Sequence, residues 1–117
     1  MAKWIAILCL SLGLCTAADL TGRWSGTLSL NNGDRPGYMV LTEKGQVITG
    51  TAGEDASKQV PITSGNVEGQ NVVIEAKPGR STLKFALVAA SDNQALSGDV
   101  YEDAEKIGTV LFHRIAK

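Results

Sequence analysis

Past Cys15 the chain contains no cysteine, because both of its cysteines, Cys9 and Cys15, fall within the first 18 residues. A disulfide framework is therefore excluded for the remainder, and a domain of that size must be held by its core alone. Histidine is almost as scarce, with His113 the only one in 117 residues. Ser-His-Asp hydrolysis would have to run through it, and no Gly-x-Ser-x-Gly elbow is present to hold a nucleophile. Spaced Cys/His ligands for zinc, phosphate-binding loops and dinucleotide fingerprints are also absent. Neither sign of charge is in excess: 11 basic residues face 12 acidic ones, and losing Lys3 with a leader would take the net charge from −1 to −2. That balance gives no electrostatic reason to expect nucleic acid or an anionic membrane. Aromatics make up 5% of the chain, too few to interleave with the small basic group Lys77, Arg80 and Lys84 as a single-strand platform would require.

Long apolar runs are confined to the N-terminus. Lys3 followed by the eleven residues Trp4–Leu14 and by Thr16-Ala17-Ala18 has the n-region, h-region and small-residue site of a signal peptide. Eleven residues are too few to cross ~30 Å of hydrocarbon. Residues 1–18 are thus expected to be a signal peptide cut before Asp19, or one residue earlier, leaving 19–117 as a single domain of an exported protein. Leu8 and Leu14 precede the two cysteines, where lipidation would call for a small residue.

What the chain does have is alternation. In Gly22-Arg23-Trp24-Ser25-Gly26-Thr27-Leu28-Ser29-Leu30, Trp24, Gly26, Leu28 and Leu30 share one parity and Arg23, Ser25, Thr27 and Ser29 the other. A strand built from it has one dry face and one wet face. Turn signals then recur every 8 to 12 residues, at Asn31-Asn32-Gly33-Asp34, Lys44-Gly45, Gly53-Glu54-Asp55, Ser64-Gly65-Asn66, Glu68-Gly69-Gln70-Asn71, Lys77-Pro78-Gly79, Ser91-Asp92-Asn93 and Glu102-Asp103-Ala104-Glu105. This rhythm predicts an all-β sandwich or barrel. Eight strands are read at about 22–31, 37–43, 46–52, 57–63, 71–77, 81–90, 94–101 and 106–115, with room for an extra ribbon at Asn66–Glu68. Further dry positions are Ile48 and Gly50, Val60 and Ile62, Val72 and Ile74, then Leu83, Phe85, Leu87 and Ala89, and Leu96, Gly98 and Val100. The run at 37–43 admits either Met39/Leu41 or Tyr38/Val40 as its dry side.

A near-repeat links Ser25-Gly26-Thr27-Leu28, Thr49-Gly50-Thr51-Ala52, Ser97-Gly98-Asp99-Val100 and Ile107-Gly108-Thr109-Val110. Glycine inside a strand weakens it, and it is expected where a sheet bends to close. Closure also removes the sticky edges that an open sheet would present. An antiparallel up-and-down β-barrel of about eight strands follows, with Gly26, Gly50 and Gly98 letting the walls approach and predicting a small interior.

Gly22-x-Trp24 in the first strand and Arg114 near the end of the last resemble the calycin superfamily, which includes lipocalins, fatty-acid-binding proteins, avidins and small bacterial protease inhibitors. The opening Gly-x-Trp-x-Gly and the ending Phe112-His113-Arg114 also resemble small exported bacterial barrels of unassigned activity. The resemblance implies a lipocalin-like barrel in which Trp24 and Arg114 form a structural end-plug, the cation lying over the indole. With the leader, the expectation is a periplasmic or secreted protein that acts as a monomer.

No catalytic residue, metal site or cofactor is expected. His113 reads as a solvent-facing strand residue. Glu102, Asp103 and Glu105, with Glu54 and Asp55, read as solvated hairpin tips, since no Asp-x-Asp-x-Asp-Gly loop gathers them. The leading expectation is a non-enzymatic module binding a small apolar or amphipathic molecule in the barrel mouth. Its candidate ligand-binding residues are Leu83, Phe85 and Leu96 as cavity lining, with Tyr38 and Tyr101 as amphipathic rings at a rim. The alternative is a protein-interaction module such as a protease inhibitor or envelope accessory protein, whose partner would be another exported protein.

Overall fold

The computed structural model describes residues 19–116. The proposed signal peptide at 1–18, its cleavage point and Lys117 lie outside the described residues. Eight strands follow one another: β1 (Gly22–Leu30), β2 (Gly33–Lys44), β3 (Val47–Asp55), β4 (Lys58–Glu68), β5 (Asn71–Ala76), β6 (Leu83–Ala89), β7 (Ala95–Glu102) and β8 (Glu105–Ala116). Each pairs antiparallel with its neighbours in the chain, and β8 returns to pair with β1, closing the barrel. Trp24 lies opposite Arg114 and Leu30 opposite Gly108 across that seam. The sheet therefore has no free edge to recruit another strand.

Alternation sets which face turns inward. Trp24 on β1, Ile48 and Ala52 on β3, Val72 and Ile74 on β5, Phe85, Leu87 and Ala89 on β6, Leu96 and Val100 on β7, and Val110 and Phe112 on β8 are all buried. Met39 and Leu41 are the dry side of β2, each 1% exposed, whereas Val40 is 36% exposed. The ambiguity at 37–43 is settled by register: Met39 pairs with Trp24 and Leu41 with Gly22, and cross-strand partners share a face.

Ser64-Gly65-Asn66 is not a turn, and there is no separate ribbon after it. β4 runs straight through to Glu68, with a register shift between Ile62 and Ser64. The extra residue resets the parity, so that Val60 and Ile62 before it and Gly65 and Val67 after it all belong to the inner face. Small, φ-tolerant residues serve a bulge as readily as a turn, which is why the composition misled.

The expected small interior is also corrected. A Cβ at Gly26 would strike the carbonyl oxygen of Leu111 on β8, one at Gly50 that of Val40 on β2, and one at Gly98 that of Ala86 on β6. In each case the crowding comes from the adjacent strand in the same sheet, not from the far wall. These glycines permit tight coiling and closure without narrowing the lumen.

Candidate binding cup at the open end

The up-and-down order sorts the connections to two ends. The β2–β3, β4–β5 and β6–β7 turns and the Asp19–Thr21 segment gather at one end, which is sealed. Leu20 is fully buried there, as is Trp24. The indole Nε1 donates to the Leu20 carbonyl at 3.0 Å, and the Leu20 N–H donates to Glu43 Oε1 at 2.9 Å. The Arg114 guanidinium sits 4.7 Å from the Trp24 ring centroid. It donates to the carbonyls of Thr21 at 2.6 Å, Asp19 at 2.7 Å and Asn93 at 3.0 Å. A cation over an indole contributes about 0.5–2 kcal/mol, depending on desolvation. Here the same cation also gives hydrogen bonds to three backbone acceptors at the end of the barrel.

The opposite end, ringed by the β1–β2, β3–β4, β5–β6 and β7–β8 hairpins, is open. It holds a cavity of about 790 Å³. Its floor and walls are apolar: Leu28, Met39, Ala52, Val60, Leu83, Phe85, Val100 and Phe112 contribute. Phe85 and Phe112 meet edge to face, 6.3 Å between centroids and 62° between planes, the arrangement favoured by the ring quadrupoles. Gly37 makes this floor possible, since a Cβ there would lie 2.9 Å from Phe112 Cε1 and 2.6 Å from Leu28 Cδ1.

The rim is polar, with Asn31, Asn32, Arg35, Glu54, Ser57, Lys58 and Glu102 lining the mouth. Arg35 and Glu54 pair across β2 and β3 at 2.9 Å. Asp55 shapes the β3–β4 tip by accepting from Ser57 Oγ at 2.7 Å, Ser57 N–H at 2.9 Å and Lys58 N–H at 3.1 Å. The Ser57 side-chain bond, then its backbone bond, hold the Asp55 carboxyl below its ordinary pKa. At the β7–β8 tip Asp103 and Ala104 both have positive φ, 50° and 73°, the conformation of a type I′ hairpin turn. Asp103 fastens this tip to the β5–β6 loop by exchanging bonds with Thr82: its N–H donates to the Thr82 carbonyl at 2.9 Å, and its Oδ1 accepts from the Thr82 N–H at 3.0 Å.

Of the five candidate lining residues, Leu83 and Phe85 line the cup. Leu96 is fully buried at the start of β7, at the sealed end. Tyr38 and Tyr101 are half-buried on the parity opposite to Met39 and Val100, and neither lines the cavity. Phe112, Gly37, Arg35, Lys58 and Glu102 are lining residues not singled out for that role from the sequence. Strand direction is the signal that finds them, because odd-numbered strands end at the open end and even-numbered strands begin there. His113 is exposed on β8.

The fold and site define a closed eight-stranded antiparallel barrel with one sealed end and one apolar cup. No family model matches the chain, and no curated protein matches it.

Proposed function

We propose that this protein is an exported, non-enzymatic, calycin-like binding protein that takes a small amphipathic molecule into the cup. The cavity carries the reading. Its volume of about 790 Å³ falls within the ~300–1,000 Å³ range of small-molecule sites, and an apolar floor below a few polar groups is the usual design of such sites. The ligand's apolar part would lie on Phe85 and Phe112, gaining ~25 cal/mol per Å² of apolar surface removed from water, while its polar part stays among the rim residues. The Lys3, Trp4–Leu14 and Thr16-Ala17-Ala18 pattern supports export.

The test is to fill the cup. Ala52 is buried and lines the cavity, so Ala52→Phe should abolish uptake of an environment-sensitive apolar dye while leaving the β-type circular dichroism unchanged. Unaltered dye binding in a folded Ala52→Phe protein would refute the reading. Protein interaction is a second reading, favoured by the outer surface of β6 and β8, where Val88 is 52% and Leu111 45% exposed. Both pair with Ser97 between them, which puts them in one row.

A further inference from the structure

We propose that the amphiphile bound by the cup carries a cationic head, held at Glu102; the proposal rests on the cup reading above. The floor offers no charged group, since no charged side chain is buried among the described residues. A ligand's charge must therefore remain at the mouth, where Arg35, Glu54, Lys58 and Glu102 are the charged lining residues.

Each cation of that set has an acidic neighbour on the adjacent strand. Arg35 is paired with Glu54 at 2.9 Å. Lys58 makes no ion pair among the described residues, but it is the cross-strand partner of Asp55, so its ammonium leaves the strand on the same side as a carboxylate. Glu102 has no cation within ion-pair distance among the described residues, and Lys106, on the same hairpin, is engaged by Asp99 at 3.3 Å. The cross-strand neighbours of Glu102 are Leu83 on β6 and Glu105 on β8, one apolar and the other of like sign. Lys77 and Arg80 belong to the β5–β6 loop but do not line the cavity. An anionic head entering the mouth would thus meet an unmatched carboxylate and find each lining cation already beside an acid. An ammonium would find Glu102 at the edge of an apolar wall, where water screens the attraction less than in bulk.

Three probes sharing a dodecyl tail separate the possibilities: dodecyltrimethylammonium, dodecyl maltoside and laurate, each titrated calorimetrically below its micelle concentration. The ammonium probe should bind the protein about fivefold more tightly than the maltoside, the scale of one solvent-exposed ion pair, and laurate should bind more weakly than either. The ammonium preference should vanish in Glu102→Gln, persist in Lys58→Gln and shrink with added salt. Equal binding of all three probes, or an ammonium preference that survives Glu102→Gln, would overturn the assignment of charge while the cup stands. Binding of none of them would overturn the cup itself and the proposal with it.

Discussion

The two ends of this barrel are made from the same alternating strands, yet they solve opposite problems. At the sealed end every inward position is occupied: Leu20, Trp24, Leu41, Ile48, Val72 and Leu96 are each no more than 1% exposed, and Arg114 spends its hydrogen bonds on backbone carbonyls. At the open end Leu28, Leu30, Ile62, Leu83 and Ile107 are only partly buried, and apolar surface is left facing a cavity. Stability is therefore concentrated in one half of the molecule and binding capacity in the other. A small domain without disulfides can keep an unfilled site only if the rest of its core is well packed.

The sharpest way to break this contrast is to hollow out the sealed end. Trp24→Ala should cost about 3–5 kcal/mol, read from urea denaturation, whereas Leu83→Ala, which trims a side chain already partly exposed, should cost about 1 kcal/mol. Near-equal losses would mean that the two ends are not energetically distinct. Glycines allow a finer comparison. Gly98→Ala drives a methyl into the backbone carbonyl of Ala86 and should cost about 1–3 kcal/mol. Gly37→Ala meets only the ends of the Leu28 and Phe112 side chains, which have the cavity to move into. It should cost under about 1 kcal/mol while shrinking the space available to a bound dye.

At the rim, Ala104→Gly should raise stability by about 1 kcal/mol, because Ala104 sits at φ 73° and an L side chain is disfavoured there. An unchanged denaturation midpoint would show that the turn carries no such strain. The smallest effect is electrostatic. The Asp55 carboxyl is held below its ordinary range by its bonds from Ser57, so its contribution is complete above the unfolded-state pKa of about 3.9 and is lost as pH falls below that. Protection of the Ser57 and Lys58 amides, taken relative to their intrinsic exchange rates at each pH, should fall in acid, the amides around Trp24 should stay protected, and Asp55→Asn should remove the acid dependence at the tip.

Much of the fold was legible because alternation reports burial directly. Trp24, Leu28, Leu87 and Val100 could be assigned to the inner face from parity alone, and the turn residues between them mark where the chain reverses. Parity says nothing about height along the barrel. Leu83 and Leu96 look equivalent in the sequence, but β6 begins at the open end and β7 at the sealed one, so the first lines the cup and the second lies in the packed half. Met39 could not be separated from Tyr38 until pairing with β1 fixed the register. Leu20 was not recognised as a plug, because a single apolar residue before the first strand has no periodicity to reveal it. The depth of the cup was hidden for another reason. Glycine spacing reports crowding between neighbouring strands, and the width of the lumen depends on how many strands close the ring.

The seam between β1 and β8 has a practical corollary. Arg23 pairs with Ala116, so the outer ends of the first and last strands meet at the base of the molecule, as far as the fold allows from the four hairpin tips. A tether fixed at either extremity would display the mouth outward on a bead or sensor chip. Those tips could then be exchanged one at a time, turning the protein into a receptacle whose selectivity is edited at its lip.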